Sequence, residues 1–178
     1  MKSIIEKKKK LLRAVLGILI VAIVTLGYVD YKAYKMSQMD KYMIQANKVA
    51  DKEDQLIDEA NAYADEDNID MTAAKVDAAI EKEKEVISLG EKAYQYADGP
   101  YKEVIGLLLE RDQLLLQGWE LWRNRLECIK EGDYASAWGL YDQEKDISTE
   151  IDKIEARKEA IKSKNPEVKE HIERVGVP

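Results

Sequence analysis

The sequence predicts an all-α protein, in which a single N-terminal transmembrane helix is followed by an extracytoplasmic up-down-up-down four-helix bundle. Three observations predict this fold. The 178 residues include only 3 Pro and 9 Gly, so little interrupts long helices. One apolar run near the N-terminus is long enough to cross a bilayer. Four later segments repeat apolar residues at alternating spacings of three and four, as the helices of bundles and coiled coils do.

The apolar run covers residues 11–29. As a helix it would extend about 28 Å, close to the hydrocarbon thickness of a bilayer. Arg13 is its one charge, and it lies near the basic end, where a long side chain can reach the lipid headgroups. Tyr28, Tyr31 and Tyr34 follow the run and resemble the aromatic belt at a membrane surface.

A cleaved signal peptide would also combine a basic segment with an apolar run. No small residues at the spacing of a cleavage site follow this run, which continues Tyr28-Val29-Asp30-Tyr31, and no lipoprotein cysteine follows it. The run is therefore interpreted as an uncleaved signal anchor. The positive-inside rule then predicts a cytoplasmic N-terminus and an extracytoplasmic C-terminal domain in a bacterial cell envelope.

Charge divides the chain in the same way. Residues 1–28 carry six Lys or Arg and one Glu, a net charge of +5. The other 150 residues carry 22 basic and 34 acidic side chains, a net charge of -12. So acidic a body repels the phosphate backbone, which excludes nucleic acid as a partner. The predicted partners are the lipid bilayer and other envelope proteins, and a homo-oligomer is compatible with the pattern.

Three turns divide the outer domain. The acidic stretch 65–68 precedes Asp70 or Thr72 as a helix cap, and the segments 98–100 and 131–133 place glycine after one helix and a helix-starting residue before the next. Helices are predicted over about residues 30–66, 70–97, 100–131 and 133–164. The predicted divisions are a basic cytoplasmic segment, a transmembrane signal anchor, a juxtamembrane stalk, a helical bundle and a C-terminal tail, at residues 1–10, 11–29, 30–38, 39–165 and 166–178. An alternative is a three-helix bundle with helix 1 as a splayed stalk, because its apolar stripe is the most polar.

Each predicted stripe contains one acidic residue. Counting from the turns places Glu53, Glu83 and Asp112 within about one helical turn of a common level, whereas Glu144 lies about 12 Å away. Buried charges must be paired or hydrated, so these residues are interpreted as a polar core layer with Arg111 as counter-ion. On this interpretation, Asp112→Leu should leave the protein folded and more stable. At the same level, helix 4 is predicted to place Ile151 or Asp152.

The carboxylates also raise the question of a metal site. Inward-facing carboxylates of four-helix bundles hold two metal ions when Glu-x-x-His pairs accompany them. Here the only histidine is His171, in the C-terminal tail, where it is predicted to be exposed. The sequence contains no glycine-rich phosphate loop and no recognisable nucleophile–base pair. We therefore predict no metal, no cofactor and no enzymatic activity.

The tryptophans all lie on predicted helices 3 and 4. Trp119, Trp122, Trp138 and Tyr141 are candidates either for a packed core beside Gly132 or for an exposed patch that contacts a partner. Counting from Gly132 favours the core, with Trp122 opposite Tyr141. Trp138 lies one position off its stripe and is the best candidate for exposure.

These features predict a membrane-anchored, non-enzymatic helical scaffold or accessory subunit that contacts other cell-envelope proteins. The alternative is an extracytoplasmic small-molecule sensor that signals through a partner, since helical bundles bind ligands between their helices. A third interpretation, a carboxylate metal-binding bundle, lacks the histidine ligands.

Overall fold

The computed structural model describes the backbone of residues 2–176 and the side chains of residue 25 and residues 27–176. This described part is all α-helix and turns, which confirms the predicted all-α class, and the predicted ends of the second to fourth bundle helices are each within one residue of those observed. The five helices are α1 (Lys2–Asp65), α2 (Ile69–Tyr96), α3 (Gly99–Glu131), α4 (Tyr134–Lys164) and α5 (Pro166–Arg174).

The chain divides into two compact units, residues 1–37 and 38–178. In the first unit, Tyr28, Tyr31 and Tyr34 are each more than half exposed. The predicted anchor residue Arg13 and nearly all of the predicted membrane span lie outside the residues whose side chains are described. Within the residues whose side chains are described, no helical segment is long and apolar enough to cross a membrane.

The core of the second unit joins α1, α2 and α3. One apolar cluster brings Ala60 of α1 against Val76 and Ile80 of α2 and against Trp122 and Leu126 of α3. Full burial of a Val, Ile or Leu side chain contributes roughly 1.5–3 kcal/mol to stability. α1 is therefore part of the bundle, and the alternative in which helix 1 splays away as a stalk is not the arrangement observed. A second cluster of α1 and α2 contains Ala46, Val49 and Val86.

α4 packs along α3, but its first half does not enter this core. The buried side chains of α4 are Ala137 near its start and Ile154, Lys158 and Lys162 in its second half. Between them the stripe is interrupted by Glu144, and its apolar members Leu140, Ile147 and Ile151 are only partly buried. Consequently the first half of α4 lies against α3 with one face open to solvent.

The predicted C-terminal tail forms a helix, α5, that follows α4 and contacts α1 through Asp40 and α3 through Tyr101. Val168 and Ile172 are buried one turn apart. The prediction that His171 is exposed is wrong, because its side chain is 11 % exposed and its Nε2 lies 2.7 Å from Asp40 Oδ1 of α1. Arg174 donates to Nδ1 of the same ring over 2.7 Å, so the hydrogen on Nε2 is donated to Asp40. An apolar pair in nine residues was too short a pattern to predict this packing.

The cap of α2 also differs from the prediction. Asn68 caps the helix, and its side-chain oxygen accepts a hydrogen bond from the N–H of Met71 over 3.2 Å. The predicted caps Asp70 and Thr72 lie inside the helix, where the buried hydroxyl of Thr72 donates to the carbonyl oxygen of Asn68 over 2.9 Å. Asn is as good a cap as Asp, so the local sequence offered several equivalent starts.

Two glycines of the α3–α4 hairpin should respond to alanine with opposite signs. Gly132 ends α3 at φ +80°, in the left-handed region where a Cβ is strained, so Gly132→Ala is expected to lower the free energy of unfolding by about 1 kcal/mol. Gly139 lies within α4, where an added Cβ would meet no atom within 4 Å. Gly139→Ala is therefore expected to raise the free energy of unfolding by up to about 1 kcal/mol. Denaturant unfolding of both variants checks the pair, and changes of the same sign would contradict it.

Candidate functional sites

A layer of buried charged side chains crosses the core of the second unit. α1, α2 and α3 contribute Glu53, Glu83 and Asp112, and all three are buried, with Glu83 only 1 % exposed. α4 contributes Lys158, which is also buried. The carboxylates come from three different helices, so the layer depends on the relative positions of those helices along the bundle.

Glu53 and Glu83 form a hydrogen-bonded pair of carboxyl groups. Burial, followed by the hydrogen bond and the charge of Glu53, raises the pKa of Glu83 to about 10. Glu83 is therefore a neutral acid at pH 7 and donates its proton to Glu53. Glu53 Oε1 accepts a second hydrogen bond, over 2.6 Å, from Nε1 of Trp119. Within the described part of the chain, Oε1 of Glu83 meets no hydrogen-bond partner.

Arg111 and Asp112 form the second part of the layer. Nε and Nη2 of Arg111 donate to Asp112 Oδ1 over 2.9 and 2.8 Å. Nη1 of Arg111 lies 3.6 Å from Glu155 Oε1, an ion pair too long for a hydrogen bond, and Lys158 Nζ lies 2.6 Å from Glu155 Oε2. Burial raises the pKa of the Asp112 carboxyl because Arg111 only partly offsets the lost hydration.

The α4 members of the layer are not those predicted by counting. Glu155 and Lys158 occupy the level at which Ile151 or Asp152 was expected. Side chains on a helix lean toward its N-terminus, and α3 and α4 run in opposite directions, so the residues that meet have Cα atoms displaced along the bundle. The long side chains of Arg111 and Lys158 extend this displacement.

Glu144 is separate from the layer, as the counting predicts. Nε of Arg125 donates to Glu144 Oε1 over 2.7 Å, in an ion pair that is partly exposed. The pair lies on α3 and α4, beside the ring of Tyr141, whose centroid is 5.4 Å from the guanidinium carbon of Arg125.

The layer is suited to holding a proton and to setting the register of the helices. Any shift of one helix would leave a buried charge without its partner, which is costly. Among the described residues, no group of three or more Asp, Glu, His or Cys side chains could hold a metal ion.

The aromatic candidates divide into two pairs. Trp119 and Trp122 pack with ring centroids 6.0 Å apart, and Trp122 belongs to the apolar core. Trp138 and Tyr141 lie outside that core, edge to face, with centroids 5.8 Å apart, and Trp138 is 66 % exposed. The predicted contact of Trp122 with Tyr141 is thus replaced by two separate pairs. Of these four rings, only Trp138 is exposed enough to serve as the centre of a partner contact.

Trp138 borders an aromatic groove between α3 and α4. Tyr134, one turn before Trp138 on the same helix, is 63 % exposed beside this groove. The sequence already places Tyr134 with the tryptophans and Tyr141 on the hairpin of helices 3 and 4. Isolated exposed apolar residues are common, but two large rings beside one concave surface are characteristic of contact sites. The groove encloses about 300 Å³ and is lined by Arg125, Ile129, Tyr134, Ala137, Trp138 and Tyr141.

The end of the second unit next to the groove is strongly acidic. The turn before α2 and the turn before α4 lie together there, since Lys130 Nζ is 2.6 Å from Asp70 Oδ1. Residues 65–70 and 130–133 contain six acidic side chains and one basic side chain, Lys130. We call these residues the acidic end. Its exposed acidic members are Asp65, Glu66, Asp67, Asp70, Glu131 and Asp133.

The fold and these two features define the class of protein: an all-α helical bundle with a buried carboxyl layer and an exposed aromatic groove. Comparison with family models, curated proteins and solved structures finds no match to the chain.

Proposed function

We propose that this protein is a membrane-anchored, non-enzymatic accessory subunit that binds another cell-envelope protein through its aromatic groove. The observation that carries the proposal is the exposure of Trp138 and Tyr134 beside one concave surface. Aromatic side chains supply a large share of the binding energy at protein interfaces, especially where they fill or border a pocket. Neither ring contributes to the apolar core, so folding alone does not account for them.

The proposed anchor is the apolar run at residues 11–29, with the N-terminus in the cytoplasm and α2–α5 outside the membrane. The run is preceded by four consecutive lysines, and positive charge on one side favours this orientation. The exposure of Tyr28, Tyr31 and Tyr34 supports the proposal, since tyrosine rings favour the membrane surface. In this proposal α1–α4 form the up-down-up-down bundle that carries the groove.

Trp138→Ala is expected to abolish co-purification of the partner when the full chain is extracted from membranes in mild detergent. The melting temperature should change little, because the ring lies outside the core. The matched control is Tyr94→Ala, which removes a partly exposed ring of α2 and should retain the partner. The measurement is the stoichiometry of the partner by quantitative mass spectrometry. Full retention of the partner by Trp138→Ala would overturn the contact, and release of the chain by alkaline extraction of membranes would overturn the anchor.

A small-molecule sensor is the second candidate, because the groove volume of about 300 Å³ reaches the lower limit of ligand pockets. In this case the chain would purify without a stoichiometric partner. A ligand would raise its melting temperature by mass action, and Trp138→Ala would remove that rise.

A further inference from the structure

We infer that the partner presents a basic amphipathic helix to this protein. An apolar side chain of that helix would enter the aromatic groove, while its Lys or Arg side chains would face the acidic end. This inference rests on the proposed function and names the chemical class of the partner. Helix-in-groove recognition combines apolar anchors at helical spacing with charges on the flanking positions.

The charges around the groove carry the argument. The one lysine of the acidic end, Lys130, is already paired with Asp70, so five of its six acidic side chains face no basic residue of that end. Of the two cations beside the groove, Arg125 is neutralised by Glu144 over 2.7 Å, and Lys145 lies with its Nζ 4.4 Å from the centroid of the Tyr141 ring. One turn beyond Trp138 the exposed residue is another acid, Asp142. A basic partner is therefore attracted both in the encounter and in the complex.

The apolar side chains of the groove call for an apolar group on the partner, in addition to its positive charge. Trp138 and Tyr134 stand on the rim of the groove, and Ile129 and Ala137 line it. A large apolar side chain can be desolvated between these residues, which is the usual anchor of a helix in a groove. A polybasic segment without such a side chain would leave the rings exposed.

The same charges exclude two other occupants of this face. A second copy of the chain would bring one acidic end against another, because residues 29–178 carry a net charge of -12. An anionic lipid surface would be repelled for the same reason. Like charges held in contact are costly, so neither occupant fits the groove and its acidic surroundings together.

Two synthetic helical peptides with identical Leu positions test the inference. One carries Lys at every polar position, and the other carries Glu. We expect the full chain in non-ionic detergent to bind the Lys/Leu peptide, measured by fluorescence anisotropy, and to bind the Glu/Leu peptide at least about tenfold more weakly. The Kd of the Lys/Leu peptide should rise with salt concentration.

Variants of the chain separate the groove from the acidic end. Trp138→Ala should weaken binding of the Lys/Leu peptide about tenfold or more, as loss of a central aromatic anchor does. Glu66→Lys with Glu131→Lys should also weaken it and should remove most of the salt dependence. The matched control is Glu91→Lys with Glu103→Lys, the same charge change at exposed positions away from the acidic end, which should leave binding unchanged.

Equal binding of the two peptides, or wild-type binding by Trp138→Ala, would overturn the inference. The outcomes also separate it from the proposed function. If the Lys/Leu peptide fails to bind while Trp138→Ala still releases the cellular partner, the groove contact stands and the partner class is wrong. If the peptide binds through Trp138 but the cellular partner is retained by Trp138→Ala, the groove recognises basic helices and the proposed subunit contact is wrong.

Discussion

The free energy of unfolding is expected to fall as the pH rises from 7 to 9. Burial and the bond to Glu53 raise the pKa of Glu83 to about 10, whereas an unfolded chain releases this proton near its ordinary value of 4.5. Between these two values the folded state binds one more proton than the unfolded state. The stability linked to Glu83 is therefore fully present below about pH 4.5 and is lost progressively toward pH 10, on the order of 1 kcal/mol per pH unit.

Glu83→Gln should remove this pH dependence. The amide has the shape of the neutral acid and can donate an N–H to Glu53, but it does not titrate. We expect the variant to be at least as stable as wild type at pH 8 and to lose most of the decline between pH 7 and 9. Denaturant unfolding of the full chain in mild detergent at three pH values measures this. Glu91→Gln, at an exposed position of the same helix, is the control and should keep the decline. If the free energy of unfolding falls with pH equally in Glu83→Gln and in wild type, Glu83 does not hold the proton.

Asp112→Leu is expected to destabilise the protein by about 3 kcal/mol, the range for breaking a buried ion pair. The local sequence suggested the opposite, because a carboxylate at an inward position looked replaceable. In the structure Asp112 accepts both short hydrogen bonds from Arg111, whose contact with Glu155 is 3.6 Å. Leucine would leave the guanidinium largely buried without its nearest acceptor.

The double variant Arg111→Met with Asp112→Leu distinguishes this cause from poor packing. Removing both residues leaves no buried charge without a partner, so much of the lost stability should return. Glu155 would keep its contact with Lys158. Thermal or denaturant unfolding of the two single variants and the double variant gives the coupling between the residues. If Asp112→Leu alone has the same free energy of unfolding as wild type, the burial of the Arg111 guanidinium does not depend on Asp112.

Short-range chemistry accounts for what could be predicted about the bundle. Pro100 at the start of α3, Gly132 at its end and the Asp133 cap of α4 act through their own local preferences, so these boundaries follow from local sequence. The limits of α2 are less specific, because it begins at an Asn68 cap among several equivalent residues and ends at an extended Ala97. Helical rise is constant, so counting from the turns brings Glu53, Glu83 and Asp112 to one level.

The remaining features depend on which side chains meet across helices. Local periodicity does not specify that α5 packs on α1 through His171, or that Trp119 bonds to Glu53 while Trp138 stays outside the core. Nor does it specify the proton on Glu83, because a pKa is set by burial and by charges on other helices. Side-chain direction and neighbouring charges are long-range properties, so these features follow from the packed bundle, whereas the helices themselves follow from the order of the residues.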